Sequence, residues 1–189
     1  RRAGETAGGP ERVKVPVTGP YTLAMSVRDD CYNDVEELAF ALARALSHEV
    51  SRAAELFGHV QVDEPFFSVD YPDYAAELMD TLMSGAAGGL SSTALHVCGD
   101  VAPVYHDLME LPFDVLDHEF AKNPGLLDVV KEQGVNGKIG FGCLRSDSDV
   151  VESQGRIRGF LQRAAAVIGV ENMLVDPDCG LRNLPESVA

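Results

Sequence analysis

His96 and Cys98 stand two residues apart at the end of the apolar run Thr93-Ala94-Leu95. The run reads as a strand, and on a strand residues two apart point to the same side. An imidazole nitrogen and a thiolate on one face make half of a tetrahedral zinc site. Further donors fall at the ends of other short apolar segments. Asp63 and Glu64 follow Val60-Gln61-Val62, Glu119 follows the segment 114–118, and Cys179 follows Met173-Leu174-Val175 by way of Asp176-Pro177-Asp178. Together His96, Cys98, Glu119 and Cys179 offer nitrogen, sulfur, oxygen and sulfur, a donor set suited to zinc. Two residues compete for places in it: His118 beside Glu119, and Cys143 at another strand end. Asp63 and Glu64, two acids between a strand and Pro65, suit a cationic ligand. Cys31 in a polar loop, and His48, His59 and His106 on or beside expected elements, have plainer uses at the surface or in packing.

The elements that must position these residues alternate along the chain. Strands are expected at 13–17, 60–62, 93–98, 114–117, 138–144 and 173–175. Helices are expected at 34–57, 71–84, 103–110, 125–132 and from about 149 to 169. Asn33 followed by Glu36 has the spacing of a capping box for the first of these helices. Residues 1–12 are polar and glycine-rich and read as a flexible N-terminal segment. Repeated strand–helix units predict an α/β domain, with a parallel sheet covered by helices. An open doubly wound sheet would carry a glycine-rich phosphate loop after its first strand. Thr18-Gly19-Pro20-Tyr21 is not such a loop. A TIM (β/α)8 barrel places its chemistry at the carboxyl ends of its strands, which is where the candidate residues fall. Such a barrel needs eight strands and about 250 residues. The expected fold over 13–189 is therefore a partial TIM barrel lacking its first two βα units.

The bulk composition narrows the function classes. The chain has 189 residues and is 46% hydrophobic, a globular composition. No apolar run approaches the ~20 residues of a membrane span, and no apolar stretch of a signal peptide follows Arg1-Arg2. Four widely spaced cysteines suit a reducing, cytoplasmic setting with metal-binding or buried thiols. Thirty acids oppose fifteen bases, giving a net charge of −15. Only Lys14, Lys122, Lys131 and Lys138 are lysines. Such a surface repels nucleic acid and anionic membranes. It also repels itself unless salt screens it, and at molar salt the Debye length is only ~3 Å. The expectation is a halophilic protein that binds neither nucleic acid nor membrane.

Several motifs, taken in order, carry a resemblance. They are Val17-Thr18-Gly19-Pro20, Arg28-Asp29-Asp30, Gln61-Val62-Asp63-Glu64-Pro65, His96-Val97-Cys98, Glu119, Gly140-Phe141-Gly142 and Asp176-Pro177-Asp178-Cys179-Gly180-Leu181. Over about 13–185 the chain resembles the catalytic carboxyl-terminal barrel of cobalamin-independent methionine synthase, in its short archaeal core form. The resemblance implies a zinc-dependent methyltransferase that converts homocysteine to methionine. It implies His96, Cys98, Glu119 and Cys179 as zinc ligands. It also implies Asp63 as the residue holding the amino group of homocysteine, with Glu64 beside it on the substrate side. Folate-using members carry a histidine after the fifth strand, where this chain reads Arg145-Ser146-Asp147-Ser148-Asp149. The expected methyl donor is therefore a methylated corrinoid protein or a methyl-pterin. Two alternatives stand beside this one: a related zinc methyltransferase acting on another thiol such as coenzyme M, and a non-catalytic zinc-binding fragment or subunit.

Overall fold

A computed structural model of the chain describes residues 2–86 and 89–188. Its frame is a single sheet of six parallel strands. These are β1 (Lys14–Thr18), β2 (His59–Asp63), β3 (Ser92–Val97), β4 (Val115–His118), β5 (Lys138–Leu144) and β6 (Met173–Pro177). They pair in chain order, so β1 and β6 are the two edges. Helices fill the connections: α2 (Pro20–Ser26), α3 (Val35–Leu56), α4 (Ala75–Met83), α5 (Tyr105–Met109), α6 (Leu126–Gln133) and α7 (Gln154–Ile168), with α1 (Arg2–Ala7) ahead of β1. No helix among the described residues is long and apolar enough to cross a membrane.

The sheet is curled. In a flat sheet, strands three positions apart lie about 14 Å from one another. Yet Lys14 Nζ on β1 reaches Asp117 Oδ2 on β4 at 3.6 Å. Cys98, just past β3, meets Cys179, just past β6, at 3.7 Å between sulfurs. The result is an open six-stranded arc with one concave face. The expected α/β class with a parallel sheet is observed, while β1 and β6 do not pair with each other.

The core lies on the convex side. Val60, Val62, Leu95, Val97, Leu116, Ile139 and Phe141 point outward from the strands and pack against the helices. On α3 the buried positions Leu38, Ala39, Ala43, Val50 and Ala53 repeat with helical spacing and form the stripe that packs towards β2 and the neighbouring helices. The inner strands β3, β4 and β5 are buried along most of their length, as parallel strands covered on both faces must be. Edge strand β6 leaves Leu174 and Val175 exposed.

The register sets one row of side chains across the concave face. Thr18 pairs with Asp63, Asp63 with His96, His96 with Asp117, and Asp117 with Gly140. Residues level with one another on neighbouring strands share a face. A Cβ at Gly140 would lie 2.8 Å from Asp117 Cβ, and one at Gly142 would lie 2.5 Å from Asp178 Oδ1. The two glycines thus make room for two acids, while Phe141 between them turns outward and packs on Phe120 and Phe160.

Several local expectations are corrected. Residues 2–7 form a helix and Pro10–Arg12 a 3-10 turn where a loop was expected. Helix α2 occupies a stretch expected to be a turn; Pro20 stands at its first position, where a missing N–H costs nothing. The cap of α3 is Asp34, whose Oδ1 accepts from the N–H of Glu36 at 2.8 Å. Asn33 instead takes the left-handed backbone, with φ 56°, just before it. Helix α7 begins at Gln154 with Ser153 as its cap, later than the expected start near Asp149.

Candidate metal centre and its cavity

Cys98 follows His96 by two residues, and the strand places both on the concave side. His96 Nε2 lies 3.0 Å from Cys98 Sγ. Cys179 arrives from the far edge of the arc. His96, Cys98 and Cys179 each offer a donor atom, and these atoms lie within 4.8 Å of one another. A nitrogen and two sulfurs at this spacing could supply three of the four ligands of a tetrahedral zinc ion. The side chains fit such an ion on chemistry too. The ring nitrogen facing the sulfurs is Nε2, while Nδ1 is turned away towards Asp117 Oδ1 at 3.2 Å. A metal-binding histidine ordinarily gives its second nitrogen to a carboxylate in this way.

The other proposed donors are placed as follows. Glu119 is buried and lies outside the three-residue group. Its Oε2 accepts from the N–H of Gly99, the residue after Cys98, at 2.7 Å, and lies 3.6 Å from Lys122 Nζ. The competing residues are turned elsewhere. His118 has the same strand parity as Leu116 and faces outward, fully buried against Tyr105. Burial pushes its pKa down to about 4, so it stays neutral. Cys143 shares the parity of Phe141 and is buried on the helix side. Cys31, His48 and His106 are exposed, and His59 is half-buried at the start of β2.

The concave face holds a cavity of about 330 Å³. His96, Asp117, Cys179 and Asp63 line it, together with Lys14 and Asp176. Asp63 therefore shares one cavity with two of the three clustered donors. Its Oδ1 is steadied by Gln61 Nε2 at 2.7 Å. Glu64 is elsewhere, and the expectation that it contacts substrate is corrected. It has the parity of Val60 and Val62, points outward, and is fully buried. Its Oε1 accepts from the N–H of Tyr21 at 2.9 Å and its Oε2 from the N–H of Thr22 at 2.8 Å. It caps α2 from beneath.

The electrostatics of the cluster follow from burial and partners. Burial raises the Cys98 pKa. The hydrogen bond from His96 lowers that of Cys179. Burial opposes the charged form of Asp117, but the His96 ring outweighs it and holds the carboxyl below its ordinary value. Burial pushes Asp176 and Asp178 up to about 7. Asp178, next to Cys179, is fully buried and accepts from the N–H groups of Ala121 at 2.9 Å and Lys122 at 2.8 Å. It straps the loop carrying Cys179 to the loop carrying Glu119. The sequence reading missed Lys14, Asp117, Asp176 and Asp178; for Asp117, the alternation that puts Glu119 on the inner face was the available signal.

Comparisons with known proteins agree with this geometry. Residues 5–189 match the family described as cobalamin-independent synthase, catalytic domain. A methionine synthase of Methanothermobacter thermautotrophicus is 37% identical over 187 residues, covering 94% of this chain and 59% of the relative. A methionine synthase of Methanocaldococcus jannaschii is 34% identical over 191 residues, covering 94% and 60%. The chain thus spans about three fifths of the length of these relatives. Among solved structures, a B12-independent methionine synthase from a Shewanella species, in complex with selenomethionine, has a TM-score of 0.77 at 22% identity. That match covers 93% of this chain and 57% of the other, and it supports the fold. From residue 5 to its end, this chain belongs to the cobalamin-independent synthase catalytic-domain family.

Proposed function

We propose that the chain carries the metal-holding part of a zinc-dependent methyltransferase that moves a methyl group onto the thiol of homocysteine, giving methionine. One observation carries the proposal: His96, Cys98 and Cys179 converge beside a cavity that Asp63 also lines. His96 Nε2 and the two sulfurs are the donors, and Glu119 is the proposed fourth ligand. Zinc, when bound, supplies deprotonation of the acceptor thiol, which with a pKa near ~8.5 is otherwise largely protonated at neutral pH. Two cysteine thiolates and the Glu119 carboxylate keep the surroundings negative, so the acceptor sulfur stays electron-rich. Asp63 offers its carboxylate to the acceptor's ammonium group. In the transfer a sulfur–carbon bond forms as the bond from methyl to donor breaks. The donor keeps the bonding pair, and the thiol proton leaves to solvent. The segment 145–149 carries no histidine, which favours a methylated corrinoid protein or another methyl-pterin over methyl-folate as donor. In the same reading, edges β1 and β6 meet two further βα units of the full-length protein, which close an eight-stranded barrel.

Calorimetry of the zinc-loaded full-length protein with homocysteine and with coenzyme M tests the acceptor. Homocysteine should bind. Asp63→Asn should weaken it roughly ten- to a hundredfold at unchanged zinc content, because a charge-assisted hydrogen bond contributes about 1.5–3 kcal/mol. Coenzyme M has no ammonium group and should be indifferent to the change. Equal losses for the two thiols, or zinc lost with the mutation, would remove Asp63 as the acceptor's partner.

A further inference from the structure

We infer that Asp117 and Lys14 form a positioning chain that presents Nε2 of His96 to the metal, an inference that rests on the zinc reading above. His96 is 6% exposed and Asp117 5% exposed. His96 Nδ1 and Asp117 Oδ1 are buried and 3.2 Å apart, and among the described residues neither makes a hydrogen bond. Two such atoms, left unpaired, would each cost the desolvation of a polar group. Facing each other, they give that cost a purpose. A neutral imidazole carries one proton on one of its two nitrogens. The carboxylate draws that proton to Nδ1, and the free lone pair is then on Nε2, the nitrogen 3.0 Å from Cys98 Sγ. A histidine with the opposite tautomer would aim an N–H at the metal.

The sheet is built for this contact. His96 and Asp117 are paired in register across β3 and β4. The next strand places Gly140 level with Asp117, where any Cβ would come within 2.8 Å of the aspartate side chain. The carboxylate, taken from water, needs a countercharge. Lys14 supplies it from across the arc, its Nζ 3.6 Å from Asp117 Oδ2. Edge strand β1 offers no ligand, yet through Lys14 it is coupled to the metal.

Competition of the protein against a chromogenic zinc chelator measures the effect. Asp117→Asn should weaken zinc binding about 10–100-fold. Lys14→Met should weaken it about two- to fivefold, the worth of a half-exposed ion pair, and Lys14→Arg should restore it. The visible bands of the cobalt-substituted protein give a second readout. They should shift in Asp117→Asn as the imidazole changes its presentation, whereas mere loss of stability leaves the bands of the loaded fraction in place. A folded Asp117→Asn protein with zinc affinity within twofold of the parent and unshifted bands overturns the inference. Should that variant not fold, Lys14→Met decides: unchanged zinc affinity overturns the inference, and weakened affinity rescued by Lys14→Arg supports it. A parent protein that binds no zinc defeats the zinc reading itself, a result distinct from either.

Discussion

Cys31, Cys98, Cys143 and Cys179 show one side chain in three settings. Cys31 is exposed, Cys143 is buried towards the helices, and Cys98 and Cys179 meet at 3.7 Å beside His96. Metal analysis after desalting should find one zinc per parent chain. Cys98→Ser and Cys179→Ser should each lose most of it, and Cys31→Ser should keep it; equal retention in all three would sink the assignment. At this scale the clustered residues were legible, because residue type and strand-end position suffice to pick out His96, Cys98 and Cys179. The placing of Glu64 on the substrate side, and the competition of His118 and Cys143 for places in the donor set, share one physical cause, the neglect of strand parity. Leu116, Phe141 and Val62 are apolar and mark the outward face of their strands. His118, Cys143 and Glu64, each two residues further on, follow them outward. The pairing of Asp117 with His96 was not legible, since the register between two strands is written in neither strand alone.

Among the elements, the joint between β2 and α2 carries a sensitivity to pH. Glu64 ends β2 buried under the first turn of α2, and burial pushes its pKa up to about 7 from 4.5, against the lowering effect of the Thr22 and Tyr21 bonds. The folded state therefore holds a proton that the unfolded state releases near 4.5. The stabilisation is fully present below that pH and is lost as pH rises through 7. Relative to Glu64→Gln, the parent should lose roughly 2–4 kcal/mol of unfolding free energy between pH 4.5 and 8. Denaturant titrations of the two proteins across this range measure it, and parallel curves would refute it. The strands were well read from the sequence because short β-branched runs bounded by turn residues are distinctive. Helices α1 and α2 were missed because they are short, and the glycines around α1 and Gly19-Pro20 before α2 read locally as turns. The strength of α2 comes from Glu64, 42 residues away from Thr22 in the chain, and no local pattern reports that.

For the molecule as a whole, the net charge of −15 sets the response to salt. If the charge marks a halophilic surface, the melting temperature should rise steeply from dilute buffer to molar potassium chloride as self-repulsion is screened. A melting temperature that stays flat or falls would count against it. The α/β class with its parallel sheet was legible as six strand–helix units; the curl was not, because it depends on contacts between strands three apart. The strand order carries a consequence for how the protein is made. Each strand pairs with the strand that follows it, so each sheet contact closes over a single connection and none waits for a strand further along the chain. The arc can be laid down unit by unit as the chain emerges during synthesis. The metal cluster cannot, because Cys98 and Cys179 lie 81 residues apart and the second arrives only after the last strand. Zinc would then act late, as a latch that fastens the third strand to the sixth once the rest of the arc is in place.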